Sequence, residues 1–246
     1  MLNMESKQTR FMPESDNNRL RIAAVKQLIV VYLMLSIQIL IFFVSAGHIT
    51  VRPWIYFGFS FLHYSISTIV LYKLNPELLA VRLKRKREGS KLWDEILMRI
   101  SNLTILIPVP IIAGLDVGRF HWSTLDIWFV VVGLVLLSIS TILLNWAMIV
   151  NPHFEPTVRI QKDTGHKVIT SGPYKIVRHP GYLTGIMTAL VLPLIIGSIF
   201  ALIPAGIYII LIIVRTWLED KTLKKELKGY SEYAKRTRYR LFPGIW

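Results

Sequence analysis

Long apolar runs separated by polar segments dominate the pattern of this chain. A membrane-spanning helix needs about 20 consecutive, mainly apolar residues. Runs of this kind occupy residues 27–46, 54–72, 96–115, 127–150, 183–197 and 199–218. The last two runs are separated only around Gly197 and Ser198, and Pro108 and Pro110 are expected to kink the third span or end it early. The pattern predicts an all-α, polytopic transmembrane helical bundle of about six spans, in which the last two spans form a tight hairpin.

Basic residues are distributed unevenly among the polar segments. They are numerous before the first span, between the second and third, between the fourth and fifth, and in the tail. The loop after the first span contains only Arg52, and the loop after the third contains only Arg119. Lys and Arg next to spans stay on the cytoplasmic side of a membrane. This alternation predicts that the N- and C-termini are both cytoplasmic. The basic run from Lys84 to Arg87 is interpreted as an orientation signal.

Composition narrows the classes of partner and chemistry. The chain is 53% hydrophobic and carries 29 Lys and Arg against 15 Asp and Glu. Because the basic residues flank apolar runs, membrane lipids are expected as partners and nucleic acid is not. The chain has no cysteine, which excludes disulfides and thiolate chemistry. His153, His166 and His179 are spaced too widely for a ligand motif, so no metal is expected.

The chain divides into three predicted regions. Residues 1–26 form a cytoplasmic N-terminal segment, residues 27–150 form four transmembrane spans, and residues 151–246 form a catalytic region. The catalytic region consists of a polar segment, the hairpin at 181–218 and an amphipathic tail. A polar loop as long as the one before the hairpin is usually functional or disordered. Its apolar residues favour order, and the tail is expected to contact the membrane and to cover a ligand.

The predicted hairpin returns the chain to the side from which it entered. Residues 178–182 and 215–220 are therefore expected to meet. Arg215 and Glu219 are four residues apart and share one helix face. An ionisable residue inside an apolar run, as Arg215 is, indicates a functional site by default.

The motifs in this region form a specific combination. They are Gly172-Pro173-Tyr174, Arg178-His179-Pro180 with Tyr182, and Arg215 with Glu219, Asp220 and Leu223. Together they resemble the isoprenylcysteine carboxyl methyltransferases, a family whose broader group includes phospholipid N-methyltransferases. The resemblance covers residues 146–246. The acidic pair Glu219-Asp220 departs from the two glutamates usual in the family.

The resemblance implies an enzyme that uses S-adenosylmethionine (AdoMet) in a C-terminal cytoplasmic cofactor-binding region. The residues that it implies for cofactor contact are Gln161, His166, Lys167, Val168, Ile169, Tyr174, His179, Pro180, Gly181, Tyr182 and Glu219. It also implies that Arg215 contacts the acceptor group, and that Arg215, His179 and Glu219 are the catalytic residues. The implied partner is a lipid or a prenylated small molecule or protein.

The nature of the reaction leaves alternatives. Carboxyl O-methylation of an isoprenylcysteine-type acceptor is favoured because Arg215 can hold a carboxylate through two hydrogen bonds. A phosphate suits arginine as well, so phospholipid N-methylation is an alternative. Sterol-type reductases share a similar Arg-His-Pro-x-Tyr hairpin but use NADPH, and they are a second alternative. A small transporter is a third, although charges or broken helices are then expected in several spans.

Several of these residues also have ordinary structural interpretations. Pro180 has the place of a proline in the first turn of a helix. Tyr174 and Tyr182 are typical of anchors at the membrane interface, and Arg215 can extend its guanidinium to the headgroups. Catalysis is favoured because these residues are concentrated in one segment and one hairpin.

Overall fold

The computed structural model describes residues 14–82, 88–161 and 165–246, and its regular elements in these ranges are all helical. The helices are α1 Glu14–Ala46, α2 Arg52–Leu74, α3 Pro76–Arg82, α4 Leu92–Leu106, α5 Pro108–Gly114, α6 Trp128–Val150, α7 Pro180–Ile196, α8 Leu202–Glu226 and α9 Tyr230–Arg236. A π-helical segment, Leu115–Phe120, continues α5, and a 3-10 turn, Gly172–Lys175, lies in the polar segment. The predicted all-α class is confirmed.

Five helical stretches are long and apolar enough to cross a membrane. They are Asn18–Ala46, Arg52–Leu74, Leu92–Phe120, Trp128–Val150 and Leu202–Glu226. α7 is also apolar but shorter, with 17 residues. The chain therefore has the helices of an integral, multi-pass membrane protein, and a sixth crossing by α7 stays a prediction. Residues 1–13 of the predicted N-terminal segment and the basic run from Lys84 to Arg87 lie outside the described residues.

The third predicted span is interrupted at its first proline. α4 ends at Leu106, and α5 begins at Pro108 after a single intervening residue. Proline has no N–H to donate and its ring crowds the preceding turn, so a regular helix cannot pass through this position unchanged. The N–H of Ile107 still donates to the Leu103 carbonyl oxygen at 3.0 Å. The expected kink thus falls in front of Pro108, and the chain continues across the same span.

α7 and α8 form the predicted hairpin, and their connection is held by polar contacts. Gly197 ends α7 with φ +92°, a left-handed conformation that favours glycine. Arg52 caps the end of α7 by donating from Nε to the Ile195 carbonyl oxygen at 2.6 Å, and from Nη1 to the Leu125 carbonyl oxygen at 2.8 Å. A Cβ on Gly197 would collide with the Arg52 guanidinium. This cluster at the hairpin turn is called the Arg52 clamp below.

The largest apolar core lies between α1, α2, α5, α6 and α7. Its buried members include Phe42, Phe57, Val109, Leu137 and Ile195. α6 and α7 pack most extensively, and a Cβ on Gly133 of α6 would collide with the Ile195 side chain. Lipid is as apolar as these side chains, so close packing and not removal from water holds this core together. Its members on α7 lie in the second half of that helix, from Val191 to Ile196.

The polar segment and the tail pack on each other at one end of the bundle. The N–H groups of Arg178 and His179 donate to the carbonyl oxygens of Tyr239 and Arg240 at 2.9 and 3.0 Å. A second apolar cluster consists of Ala147, Tyr174, Leu223, Leu227, Tyr230 and Tyr233. The apolar face of the tail is therefore buried against the chain itself, and the membrane contact predicted for the tail stays a prediction.

Candidate active site

One cavity of about 980 Å³ joins the polar segment to the interior of the bundle. The residues implied for the site all line it, namely Gln161, His166, Lys167, Val168, Ile169, Tyr174, His179, Pro180, Gly181, Tyr182, Arg215 and Glu219. This part of the cavity is called the cofactor arm. A further part of the wall belongs to the apolar helices and includes Val31, Gln38, His63, Leu106, Thr188 and Tyr208. This second part is called the membrane arm.

Hydrogen bonds among two histidines and one glutamine shape the outer wall of the cofactor arm. Gln161 is buried and donates from Nε2 to the carbonyl oxygen of His153 at 2.9 Å. The N–H of Gln161 donates to Nδ1 of His166 at 3.3 Å, and the His166 N–H donates to the Gln161 carbonyl oxygen at 3.1 Å. The two imidazole rings lie 4.6 Å apart. Gln161 and His166 therefore both reach the cavity wall.

His166 is held in its neutral form by these surroundings. Burial lowers the pKa of His166 from 6.5 to about 4, and the nearby His153 acts in the same direction. The unfolded chain therefore binds more protons at this site between these two pH values, and stability is lost as the pH falls through them. We expect the melting temperature in detergent to fall between pH 6.5 and pH 4, and to fall less in His166→Gln. An identical pH dependence in the two proteins would contradict this assignment.

An aromatic stack connects the two motifs of the hairpin. The rings of His179 and Tyr182 lie 5.7 Å apart and nearly parallel, with 17° between their planes. The Tyr182 hydroxyl donates to the Glu219 carboxylate, and the Arg215 guanidinium lies 5.1 Å from the centre of the Tyr182 ring. The structure thus brings residues 178–182 and 215–220 together. Electron-rich ring faces beside a carboxylate suit a cationic ligand.

Tyr174 forms the floor of the cofactor arm. Its hydroxyl accepts from Asn151 Nδ2 at 2.8 Å, and burial raises the pKa of Tyr174 well above its usual range. Its carbonyl oxygen accepts from the Tyr233 hydroxyl at 2.7 Å. Val168 and Ile169 pack against the same apolar cluster while lining the cavity. Tyr174 is therefore a protonated, fixed side chain, which differs from a mobile anchor at the membrane interface.

Pro180 and Gly181 open α7 at the edge of the cavity. Pro180 is the first residue of the helix, where its missing N–H has no intrahelical partner to lose. A Cβ on Gly181 would meet the ring of Phe154. Glycine here allows the polar segment to lie directly on the start of α7. Pro180 therefore has both the ordinary role of a proline in the first turn of a helix and a position in the cavity wall.

Asp220 points away from the cavity into a cluster of cations. It accepts from Arg178 Nε at 2.7 Å, from Lys224 Nζ at 3.0 Å and from Arg240 Nε at 3.1 Å. The Tyr230 hydroxyl donates to it at 3.1 Å. Asp220 is 1% exposed, so it joins α8 to the polar segment and the tail. Glu219 lines the cavity and Asp220 does not, which divides the acidic pair into two different roles.

Arg215 is engaged by a second buried carboxylate, from α4. Its Nε donates to Asp94 Oδ1 at 2.5 Å and its Nη2 donates to Asp94 Oδ2 at 3.1 Å. Nη2 also donates to the carbonyl oxygen of Pro156. Asp94 has no exposed surface, and its Oδ2 accepts from the Val158 N–H at 2.7 Å. The sequence predicted that Arg215 holds the carboxylate of an acceptor through two hydrogen bonds. In the structure, the Nε and Nη2 atoms of Arg215 hold Asp94 in this way.

The motifs did not indicate several residues that shape this site. Asp94, Asn151 and Tyr230 come from segments far apart in the chain, and each contacts an implied site residue or its immediate partner. Nothing in the sequence distinguishes Asp94 from its neighbour Glu95. Asp220 was part of the motif without an assigned role, and its direction in the structure separates it from Glu219. Arg178 was part of the motif but had no role assigned to it.

Comparison with known proteins bears on this region alone. Residues 131–225, which run from α6 to α8 and include the implied site residues, match the profile of the isoprenylcysteine carboxyl methyltransferase (ICMT) family. No curated protein matches the chain. The resemblance carried by the motifs is confirmed by this match. Residues 131–225 are therefore similar to the ICMT family, whose name describes carboxyl methyltransferases.

Proposed function

We propose that this protein transfers a methyl group from AdoMet to a lipid-like acceptor, most simply the carboxylate of an isoprenylcysteine-type molecule. One observation supports this proposal above the others. A single cavity joins every residue implied for the cofactor to a second arm between apolar helices. A water-soluble cofactor and a membrane-dissolved acceptor can therefore meet inside the protein. The cofactor need not enter the lipid, and the acceptor need not enter the water.

The side chains of the cofactor arm fit the chemistry of AdoMet. The Glu219 carboxylate can accept hydrogen bonds from ribose hydroxyls or from the ammonium group. The Tyr174 ring lines the same arm, and an aromatic ring suits the sulfonium or the adenine. Backbone groups of Val168 and Ile169 line the same space and can pair with the adenine edge. AdoMet supplies an electrophilic methyl group, which needs no metal for its transfer.

The remaining residues would orient the acceptor and exclude water. The tail and the polar segment cover the cofactor arm through the apolar cluster around Tyr174 and Leu227. In a dry site, an anionic acceptor and a cationic donor lose charge as the new bond forms, which favours the transition state over hydrated ions. Arg215 would act on the acceptor only through the edge that Asp94 leaves available, or after exchange with Asp94. Alignment of the two reactants would supply several kcal/mol more.

The proposal includes a topology. With α7 as a sixth crossing, both termini and the cofactor arm lie on the cytoplasmic side, as the distribution of basic residues predicts. The described helices leave the membrane arm bounded by α1, α2, α4, α7 and α8. α1 packs on α2, α3 and α5 but barely touches α4. The gap between α1 and α4 is where we expect an acceptor to enter from the lipid.

The reductase alternative is weakened by the charges around the cofactor arm. NADPH carries phosphates, and phosphates are bound by cations that are free to donate. The Arg159 guanidinium is paired with Glu155 at 2.8 Å, and Arg178 is paired with Asp220 at 2.7 Å. A carboxylate, Glu219, lies in the same wall. Lys167 also lines this wall, but the Glu219 carboxylate favours a cationic cofactor over a polyanionic one.

Calorimetric titration of the purified protein in detergent tests the cofactor. We expect micromolar binding of AdoMet and of S-adenosylhomocysteine, because both offer the adenosine and amino acid groups that the cofactor arm suits. We expect no heat from NADPH. Binding of NADPH alone would replace the proposal by the reductase alternative.

The class of acceptor is tested with AdoMet that carries a radioactive methyl group and with a total lipid extract. A methyl ester releases its methyl group as volatile methanol in base, whereas an N-methyl group does not. We expect base-labile label in the lipid phase if the acceptor is a carboxylate. Base-stable label would establish the phospholipid N-methyltransferase alternative.

A further inference from the structure

Two hydrogen-bonding side chains lie deep in the membrane arm of the cavity. His63 is in the middle of α2 and Gln38 is in the second half of α1, and both line the cavity. Their exposed fractions are 5% and 7%. Polar and ionisable residues at such positions in a membrane helix are costly, and they usually mark a ligand pathway. A purely hydrocarbon ligand has no use for them.

The hydrogen bonds around His63 determine which of its ring nitrogens carries the proton. The Thr141 hydroxyl donates to the carbonyl oxygen of Leu137 at 2.6 Å. Its single proton is thereby used, so Thr141 can only accept from His63 Nδ1, with which it is in hydrogen-bond contact. In the neutral imidazole Nε2 is then an acceptor. Among the residues that the structure describes, none donates to Nε2.

Gln38 presents a second acceptor by the same reasoning. The carbonyl oxygen of Ile105 can only accept, so the Gln38 atom next to it, at 3.1 Å, is the donor Nε2. The Oε1 atom of the amide is then directed away from that contact. It has no hydrogen-bond donor within the described part of the chain. The membrane arm therefore contains two acceptors, one from α1 and one from α2.

The packing of α1 and α2 brings these two acceptors to similar depths. The Tyr32 hydroxyl is 2.6 Å from the Ser65 hydroxyl, and the rings of Phe43 and Trp54 lie 5.2 Å apart. In this antiparallel register, Gln38 and His63 are about one helical turn apart along the helix axis.

The depth of the pair below the cofactor arm follows from α6. Thr141, the partner of His63, precedes Asn151, the partner of Tyr174, by ten residues. At 1.5 Å per residue the distance along the axis is about 15 Å, which is half the thickness of the hydrocarbon layer. His63 and Gln38 therefore lie near the level of the bilayer centre.

We infer that His63 and Gln38 form a polar subsite in the membrane arm that binds a hydrogen-bond donor, such as a hydroxyl group, on the chain of the acceptor. The inference rests on the proposed function, because it takes the membrane arm as the place of the acceptor. The inference restricts the methyl acceptor to molecules whose apolar chain carries a hydrogen-bond donor at a depth well inside the membrane. A chain without such a group leaves both acceptors unpaired when it displaces water, which costs affinity.

A purely structural role for His63 would be to hold α2 to α6 through Thr141. That role needs only Nδ1, whereas the subsite needs Nε2. The two are separable because the amide of asparagine can take the place of Nδ1 and does not reach the position of Nε2. His63→Asn keeps a donor for Thr141 and removes the acceptor. Thr141→Val removes the helix contact and keeps the imidazole, whose Nε2 can pair with a hydroxyl in either tautomer because a hydroxyl both donates and accepts.

The test compares ricinoleic acid with oleic acid, which share a chain and a carboxylate and differ in one hydroxyl near the middle of the chain. Both compete with fluorescent parinaric acid for the protein in detergent. We expect ricinoleic acid to bind about two- to tenfold more tightly to the wild-type protein, the range of one net hydrogen bond. This preference should vanish in His63→Asn and remain in Thr141→Val, whose melting temperature should fall instead.

Equal binding of the two acids by the wild-type protein would overturn the inference, as would an unchanged preference in His63→Asn. AdoMet titration of the same preparations separates this result from the proposed function. AdoMet binding without a preference for ricinoleic acid removes the subsite alone. A preference that depends on His63 in a protein that binds no AdoMet removes the proposed function and keeps the subsite.

Discussion

Replacing Arg215 with methionine is expected to lower the free energy of unfolding by about 3–5 kcal/mol, because it leaves the Asp94 carboxylate buried without its partner. Asp94 has no exposed surface and accepts two hydrogen bonds from Arg215. Unfolding in detergent with increasing denaturant, followed by tryptophan fluorescence, measures the loss.

A double variant separates this structural loss from any loss of catalysis. Asp94→Asn combined with Arg215→Met removes both charges, and the asparagine side-chain oxygen can still accept from the Val158 N–H. We expect stability to return most of the way to that of the wild-type protein, while methyl transfer stays absent. A stable Arg215→Met single variant would show that the ion pair does not form in the membrane. Turnover in the double variant would show that Arg215 takes no part in the reaction.

Glu219→Gln is expected to weaken AdoMet binding by about 10- to 100-fold, the range of one hydrogen bond to a charged group. Glu219 lines the cofactor arm and accepts from the Tyr182 hydroxyl. Glutamine keeps the size of the side chain but removes the charge that attracts an ammonium or sulfonium. Calorimetry with AdoMet measures the change directly.

The matched control lies on the same helix. Glu226 is exposed at the end of α8 and pairs with Lys91 at 2.8 Å, away from the cavity. Glu226→Gln removes the same charge from the same element and should bind AdoMet as the wild-type protein does. If both variants lose affinity equally, the effect comes from the net charge of α8, and Glu219 has no specific role.

The spans were predictable because hydropathy reports membrane length directly, but their ends were not. The apolar run begins at 183 and the predicted hairpin at 181, whereas α7 begins at Pro180, because the proline and glycine of its first turn are not apolar enough to extend the run. α8 continues to Glu226, past the predicted end at 218, and Asp220 in this extension accepts from Tyr230 and Arg240 of the tail. Neither helix ends where the sequence changes from apolar to polar, and hydropathy detects only that change.

The site was predictable where motifs are contiguous and unpredictable where partners are distant. The Arg-His-Pro motif and the return of the hairpin were enough to place His179 near Glu219, and both line one cavity. The pairing of Arg215 with Asp94 spans 121 residues in sequence. An arginine in an apolar run gives no information on which of several carboxylates neutralises it. That choice depends on tertiary packing of α4 against α8, which only the structure contains.

The Arg52 clamp has a consequence for how helices can separate. Arg52 ties the turn of the α7–α8 hairpin to the carbonyl oxygens of Ile195 and Leu125, and the nearby Asp116 carboxylate accepts from the Ser198 hydroxyl at 2.6 Å. This end of the hairpin is therefore a fixed pivot. Any separation of α7 from α8 is therefore expected at their opposite end, where both helices line the cofactor arm and the Asp220 cluster would have to yield.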